Sequence, residues 1–453
     1  MIARARVAAF ETLLAVSSER ADLPSALALA RESLDDDRDR ALAGEIASGV
    51  LRHRSAIDRL IGTFARRDID RLDPEVLTIL RLSCYQLLHL TRVPASAVVD
   101  DAVDLTRRVK KRSAAGFVNA VLRTVSRHRR DLPLPPRPLD PSDRDAALEY
   151  LAVTLSHPRW LAARWYDRIG FERAEQWMQF NNQPARLTLR VNRLKTTPDA
   201  LAERLDRDDV AVTRGRWAPD ALIVTEGRAL HTDAATDGSF VVQDEASQLV
   251  ALLVGASPGP RVLDTCASPG GKATAIAAAM QGRGLLVACD VRDARIGLLT
   301  RTVAASGATN VRIVQADVSQ PLPFSQTFDC VVVDAPCSGL GTLRRDPDIR
   351  WRRREADLAP LADAQTQMLR NAADGVGVGG RLVYATCSSE PEENEGVVDA
   401  FLASGAPFRA VDAREISGVP AAALDNGGRL RTTPDEHGLE CFFGAVLRRT
   451  QEG

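Results

Sequence analysis

Several features that mark particular classes of protein are missing from this chain of 453 residues. No apolar run reaches the ~18 residues of a membrane-spanning helix, and the charged start, Met1 to Arg6, lacks the apolar stretch of a secretion signal. The seven cysteines include no C-x-x-C pair, so neither a disulfide framework nor a zinc site is expected. We therefore expect a cytoplasmic protein that binds no membrane and no metal.

Lysine is also scarce, with four lysines among 59 basic residues, and the net charge is −1. Overall charge therefore indicates nothing about partners, but the arginines are clustered. Guanidinium groups suit phosphate because each can bridge two oxygens. The clusters lie at 107–112, 127–130, 344–345 and 350–354. The alternative is that each cluster is only a solvated helix face.

Length and composition indicate a globular protein of two or three domains, since 45% of the residues are hydrophobic and 26% are charged. Residues 1–130 carry apolar side chains at helical spacing, for example over 41–61, and predict an α-helical bundle. The proline-rich stretch 131–141 predicts a stiff linker. Residues 142–237 are expected to form a small mixed α/β region that binds RNA or connects the domains. From 238 to 450, strands alternate with helices, which predicts a mostly parallel sheet covered on both faces.

Two cysteine-bearing segments follow apolar runs that read as buried strands. They are Asp334-Ala335-Pro336-Cys337-Ser338-Gly339 and Tyr384-Ala385-Thr386-Cys387-Ser388. A third strand, Val262 to Asp264, runs into a loop of small residues, Cys266 to Lys272. Open α/β sheets place their chemistry in the loops that leave the carboxyl ends of strands. Two thiols beside a nucleotide-type loop therefore indicate covalent chemistry next to a bound cofactor.

The acidic residues that end later strands indicate which cofactor this is. The loop lacks the G-x-G-x-x-G pattern of dinucleotide sites, which leaves NAD a weak competitor. Three later strands end in Asp290, Asp317 and Asp334. Carboxylates there can accept hydrogen bonds from ribose hydroxyls and an adenine amino group, although a single Asp at a strand end is as often a helix cap. The series favours S-adenosylmethionine, which has a sulfonium cation and no phosphate.

A thiolate and a sulfonium methyl group suit methylation at carbon 5 of cytosine. Carbon 5 is a poor nucleophile until a thiolate adds at carbon 6 and turns the ring into an enamine. The base must leave its stack to be reached from both sides. One cysteine is necessary, and a second could assist proton movement or release. Sequence spacing alone does not decide which cysteine is the nucleophile.

These motifs resemble those of the Sun/Nop-type RNA cytosine-5 methyltransferases over residues 145–450. The resemblance also includes Arg344 to Trp351, Arg190-Val191-Asn192 and Val242 to Ser247. The helical region before them resembles the NusB-like RNA-binding domain of the bacterial RsmB branch, also called Fmu or Sun. The resemblance implies a multidomain fold, in which a NusB-like α-helical bundle precedes a Rossmann-like α/β methyltransferase domain that depends on S-adenosylmethionine.

The resemblance also implies a role for each site residue. Cys387 is expected to be the nucleophile and Cys337 to help product release, with Asp334 also in the catalytic site. RNA contacts are expected from Arg344, Arg345, Arg350 and Arg190. Ser268 and Ala273 replace the family's usual Ala and Thr, with little expected effect on binding. S-adenosylmethionine is expected to contact Cys266, Ala267, Ser268, Pro269, Gly270, Gly271, Lys272, Asp290, Asp317 and Asp334.

We therefore expect a monomeric enzyme that methylates carbon 5 of a cytosine in RNA, with 16S ribosomal RNA or a pre-ribosomal particle as substrate. One alternative is an RNA-binding assembly or antitermination factor that has lost catalysis. A DNA methyltransferase is disfavoured, because no variable DNA-recognition region follows Cys337. The acidic stretch from Pro391 to Glu395 is expected to begin a helix and to be favoured there by the helix dipole. The remaining cysteines, Cys84, Cys289, Cys330 and Cys441, are expected to be buried hydrophobic residues.

Overall fold

The structure is a computed structural model that describes residues 2–451. The α-helices are α1 (Arg4–Ser17), α2 (Leu23–Glu32), α3 (Asp37–Arg52), α4 (Arg54–Ala65), α5 (Pro74–His89), α6 (Ala95–Arg108), α7 (Ala115–His128), α8 (Arg144–Glu149), α9 (Arg159–Ile169), α10 (Phe171–Asn181), α11 (Pro198–Arg207), α12 (Asp233–Thr236), α13 (Glu245–Leu252), α14 (Gly271–Ala279), α15 (Asp293–Ser306), α16 (Ile349–Arg352), α17 (Leu358–Asp374), α18 (Glu395–Ala403) and α19 (Pro434–His437). The strands are β1 (Thr188–Val191), β2 (Ala211–Arg214), β3 (Ala221–Glu226), β4 (Phe240–Val242), β5 (Arg261–Asp264), β6 (Leu285–Asp290), β7 (Val311–Gln315), β8 (Phe328–Asp334), β9 (Val376–Thr386), β10 (Phe408–Val411), β11 (Leu430–Thr432) and β12 (Phe442–Arg449).

The chain divides into two compact units, of which the first comprises Met1–Pro184 together with Leu343–Glu355. Helices α1 to α7 pack their apolar faces around one core, which confirms the predicted helical bundle. Local signals start several of these helices. Asp22 caps α2 by accepting a 2.8 Å hydrogen bond from the Ser25 amide, and Pro74 opens α5.

The short segment Leu343–Glu355 is part of the first unit although both of its neighbours in sequence belong to the second. Hydrogen bonds hold the segment there. The Leu23 amide donates to Asp348 Oδ2 at 3.1 Å, and Trp351 Nε1, in helix α16, donates to the Leu51 carbonyl at 2.7 Å. The proline-rich stretch 131–141 also lies inside this unit, whose chain continues to Pro184.

The second unit, Ala185–Thr342 with Ala356–Gly453, contains two sheets. The smaller has the strand order β2-β3-β1-β4 and is antiparallel where its register is defined. The larger has the order β10-β12-β9-β8-β5-β6-β7, with β11 paired to β12. Its strands β9, β8, β5, β6 and β7 are parallel, as predicted, whereas β10, β11 and β12 extend the sheet in antiparallel fashion.

The large sheet separates two apolar cores. Alternate side chains of a strand point to opposite faces. Val332 on β8 accordingly packs in one core with Val262, and Val331 packs in the other with Leu263. Helices cover both faces, so the parallel strands are buried on both sides. Their carboxyl ends meet at one edge of the sheet, which brings together the loops that carry the predicted site.

Two further predictions concern burial. Cys84, Cys289, Cys330 and Cys441 are all buried, as expected. None of the helices within residues 2–451 has both the length and the apolar character needed to span a bilayer.

Candidate active site

The two cysteine loops leave neighbouring parallel strands. In the register of β8 and β9, Val333 lies opposite Tyr384 and Asp334 lies opposite Ala385. The loops that follow therefore start side by side. Their half-buried cysteines meet, with Cys337 Sγ and Cys387 Sγ 3.2 Å apart. Thiols fifty positions apart in sequence thus form one pair at the edge of the sheet.

Backbone contacts fix the path of the Cys337 loop. The Gly341 amide donates to the Cys387 carbonyl at 2.9 Å, and the Cys441 amide donates to the Gly341 carbonyl at 3.0 Å. A methyl group at Gly341 would lie 2.0 Å from the Cys441 carbonyl oxygen and 2.7 Å from that of Cys387. Glycine is therefore required at position 341 by this close approach of three backbone segments.

The two thiols differ in their surroundings. The hydrogen bond with Cys387, followed by burial, holds the pKa of Cys337 well above its ordinary value, so Cys337 stays protonated at neutral pH. Lys272, at the start of α14, lies within electrostatic range of Cys387 and donates a 2.7 Å hydrogen bond to Asp334 Oδ2. Burial opposes the charge of Lys272, but Asp334 outweighs it and the pKa of Lys272 is raised. A cation beside Cys387 suits a nucleophilic thiolate.

The predicted cofactor loop connects β5 to α14 at the same edge. Gly270 precedes α14 with a φ of 109°, a conformation that favours glycine. The Ser268 amide donates to Asp290 Oδ2 at 3.2 Å, and the Ala267 amide donates to the Cys289 carbonyl at 2.8 Å. Burial raises the pKa of Cys266, consistent with a packing role for that thiol.

The three predicted acidic residues fall at or just beyond the carboxyl ends of three parallel strands of the large sheet. Asp290 is buried at the end of β6, Asp334 is half-buried at the end of β8, and Asp317 is exposed beyond the end of β7. These groups fit S-adenosylmethionine. The carboxylates can accept hydrogen bonds from its hydroxyl and amino groups, while Lys272 and the α14 N-terminus supply positive charge.

A fourth acid was not anticipated as a site residue. Asp264, at the end of β5, is 1% exposed, and within the described part of the chain its carboxylate oxygens have no hydrogen-bond partner of normal geometry. Burial, followed by the charge of Asp334, raises the pKa of Asp264 to about 7. The sequence feature that could have identified Asp264 as a site residue is its position at the end of a strand, which it shares with the other acids.

Glu393 corrects the interpretation of the acidic stretch after Cys387. The stretch was expected to be the dipole-favoured start of a helix. Pro391–Glu393 does form a short 3₁₀-helix before α18 begins at Glu395, but Glu393 is 0% exposed and points to hydrogen-bond partners that the stretch did not predict. Its carboxylate accepts hydrogen bonds from Ser338 and Ser388, the residues that follow the two cysteines. The adjacent Asn394 donates from Nδ2 to the Ser388 carbonyl at 3.0 Å.

The arginines predicted to contact RNA have different surroundings. Arg345 is exposed, and half-buried Arg344 donates to the Pro184 carbonyl and stacks over Phe180. The prediction is wrong for Arg350 and Arg190, because both side chains are buried.

The buried arginines have structural partners instead. Arg350 donates to the carbonyls of Ser156 and Asn181 at 3.1 Å, and burial lowers its pKa to about 9, which leaves it charged at neutral pH. Arg190 donates to Gln243 Oε1 and Thr274 Oγ1, both at 2.7 Å.

Comparison with known families covers most of the chain. The 16S rRNA methyltransferase RsmB/F family matches residues 251–448, and a ferredoxin-like domain of RsmF/B-like methyltransferases matches residues 157–231. The NusB family matches residues 3–127, which confirms the predicted character of the N-terminal bundle.

Individual relatives are similar over nearly their whole length. The probable ribosomal RNA small subunit methyltransferase B of Bacillus subtilis is 33% identical over 91% of both chains. Ribosomal RNA small subunit methyltransferase B of Pseudomonas putida is 32% identical over 98% of both chains. The crystal structure of PH0851 has a TM-score of 0.81 at 25% identity and covers 99% of both chains. The chain therefore belongs to the 16S rRNA methyltransferase RsmB/F family.

Proposed function

We propose that this protein transfers the methyl group of S-adenosylmethionine to carbon 5 of a cytosine in 16S ribosomal RNA. The observation that carries the proposal is the Cys337–Cys387 pair, 3.2 Å between sulfurs, in loops that leave the same sheet edge as the Cys266–Lys272 loop. The substrate class is inferred from the relatives, which are named as methyltransferases of small-subunit ribosomal RNA.

The cofactor would be held by the loop Cys266–Lys272 and by the acidic residues at the strand ends. Asp290 and Asp317 would accept hydrogen bonds from the ribose hydroxyls and the adenine amino group. Lys272 and the N-terminus of α14 would face the methionine carboxylate. When bound, S-adenosylmethionine supplies an electrophilic methyl group on a sulfonium.

Cys387 starts the reaction as a thiolate. Its sulfur forms a bond to carbon 6 of the cytosine, and the electron pair of the C5–C6 double bond moves toward carbon 5. Carbon 5 would then take the methyl group, which would leave a neutral thioether in place of the sulfonium, and the C5 proton would pass to a base. The double bond re-forms, and the bond between carbon 6 and sulfur breaks to return the Cys387 thiolate.

Cys337 is assigned to the release step. Its sulfur keeps its proton and lies 3.2 Å from Cys387, so Cys337 can donate a hydrogen bond to the departing thiolate. A Cys387 thiolate that accepts this hydrogen bond is a better leaving group and a weaker nucleophile toward carbon 6, which favours loss of the methylated base. Asp334 supports both steps by holding Lys272 beside the nucleophile.

The target cytosine must leave its stack to reach the thiols, so a loop or bulge of the RNA is the expected target. Phosphate contacts are proposed from Arg345 and Arg344. Methyl transfer from tritiated S-adenosylmethionine to deproteinised 16S RNA tests the proposal, with bisulfite mapping to locate 5-methylcytosine. Incorporation that maps elsewhere than carbon 5 of cytosine, or no incorporation into RNA, would refute it.

A further inference from the structure

We propose that Glu393 is a positioning residue that holds the two cysteine loops together and so sets the separation of the Cys337 and Cys387 sulfurs. The geometric part of this inference is independent of the reaction. Its kinetic consequence rests on the function proposed above. Neither the family motifs nor the chemistry of the cysteines assigned this residue a role in the site.

The carboxylate bridges the residues that follow the two cysteines. Glu393 Oε2 accepts from Ser338 Oγ at 2.5 Å and from Ser388 Oγ at 2.5 Å. Glu393 Oε1 accepts from the Ser338 amide at 2.7 Å and from Gln365 Nε2 at 2.9 Å. One buried side chain is therefore bonded directly to both cysteine loops.

Glu393 is itself held in place from both sides. Tyr384 Oη donates to its backbone carbonyl at 2.6 Å. Gln365 Nε2 donates to the Pro336 carbonyl at 3.0 Å as well as to the carboxylate, which ties α17 to the Cys337 loop. Movement of Glu393 would therefore be transmitted to both loops.

Both side-chain oxygens of Glu393 must act as hydrogen-bond acceptors. Four donors converge on the two carboxylate oxygens, and an ionised carboxylate has acceptor sites for all of them. A glutamine would turn an NH₂ group toward one pair of donors, and the surviving bonds would lose their charge assistance. The negative charge of Glu393 also adds to the effects that raise the pKa of Cys337, after the bond to Cys387 and burial.

A direct test measures how readily the two thiols meet, without RNA or S-adenosylmethionine. Diamide takes two electrons and two protons from a pair of adjacent thiols, which leaves a disulfide and a hydrazine. The rate of Cys337–Cys387 disulfide formation would be followed by peptide mass spectrometry after alkylation. Two variants serve as controls. Cys337→Ser cannot form the Cys337–Cys387 disulfide and so identifies its signal, and Glu415→Gln makes the same Glu-to-Gln change at an exposed carboxylate.

We expect Glu393→Gln to slow disulfide formation about ten-fold, the effect of losing roughly one charge-assisted hydrogen bond. Glu393→Asp should recover part of the rate, and Glu415→Gln should match the parent protein. The melting temperature of each variant shows that it is folded. A parental rate in folded Glu393→Gln would overturn the proposal.

Methyl-transfer kinetics provide the second readout. Glu393→Gln should lower kcat about ten-fold, while the KM for RNA changes less than two-fold, because the carboxylate contacts the cysteine loops. A fall confined to KM, or an unchanged kcat, would count against a positioning role. If the parent protein methylates no RNA, the function proposed above fails, whereas the diamide rates still decide the role of Glu393.

Discussion

Ser338 and Ser388, which follow the two active-site cysteines, donate hydrogen bonds to the same oxygen of Glu393, each at 2.5 Å. The sheet brings the two loops to the same edge, and this shared acceptor joins them directly. The site is therefore the product of one parallel strand pair, one buried carboxylate and one tight backbone crossing at Gly341.

The backbone crossing gives the first prediction. Gly341→Ala should destabilise the second unit by about 1–3 kcal/mol and reduce methyl transfer, because the new methyl group would push against the backbone of Cys441 and Cys387. Urea denaturation and a methyl-transfer assay would measure both effects. Gly116→Ala, in α7 where an added methyl group meets nothing within 4 Å, is the matched control and should be stabilising by about 0.5–1 kcal/mol. Parental stability and activity in Gly341→Ala would contradict this account.

The buried Asp264 gives a prediction about pH. Its pKa is about 7 in the folded protein against 3.8 for an unperturbed aspartate, so the folded state binds more protons between these values. The contribution of Asp264 to stability is therefore greatest at low pH and is lost as pH rises toward about 7, with a slope of up to about 1.4 kcal/mol per pH unit. Asp264→Asn removes this term, so its stability relative to the parent should increase from pH 5 to pH 7.

Urea denaturation at several pH values would measure that difference. A stability difference between Asp264→Asn and the parent that stays constant from pH 5 to pH 8 would show that Asp264 does not titrate as predicted.

The buried Arg350 gives a prediction about the first unit. Arg350→Met should cost about 2–3 kcal/mol, because it leaves the carbonyls of Ser156 and Asn181 without this donor. Arg345→Met, five residues earlier and exposed, should change stability by less than about 0.5 kcal/mol. Chemical denaturation, followed through the loss of helical signal from the bundle, would compare the free energy of unfolding of the two variants. Equal effects would contradict the structural role given to Arg350.

The exposed Arg345 should matter for RNA instead. Reversal of its charge in Arg345→Glu should weaken affinity for 16S RNA and reduce the slope of log affinity against log salt by about 1–2, because phosphate contacts release counterions. Filter binding at several salt concentrations would measure the slope. An unchanged slope and affinity would exclude Arg345 from the RNA contacts.

The helical bundle and the sheet edge were predictable from the sequence, because both follow from local patterns. Helical spacing of apolar residues marked a bundle over residues 1–130, although α2 was not among the helices it indicated, and apolar runs marked the parallel strands. Once parallel strands are accepted, their carboxyl ends must share an edge, and Cys337 and Cys387 are then expected to be neighbours. One boundary was missed: residues 41–61 read as continuous helical spacing, whereas α3 and α4 are separated at His53.

Other features depend on contacts between residues that are distant in sequence. Glu393 looked like part of an acidic helix start, and nothing local indicates that Ser338, 55 positions earlier, donates to it. Arg350 lies in an arginine-rich run that resembles an exposed surface, but its partners Ser156 and Asn181 are more than 160 positions away. Arginine clusters therefore predicted phosphate contacts where burial provided carbonyl partners instead.

The covalent role of Cys387 is tested most directly by trapping the protein on its RNA. Parent, Cys337→Ala, Cys387→Ala and the double variant would each be incubated with 16S RNA and S-adenosylmethionine, and adducts separated on a denaturing gel. We predict that Cys337→Ala accumulates a covalent protein–RNA adduct, whereas Cys387→Ala and the double variant form none and transfer no methyl group. Methyl transfer at the parental rate by Cys387→Ala, or an adduct in the double variant, would contradict the account.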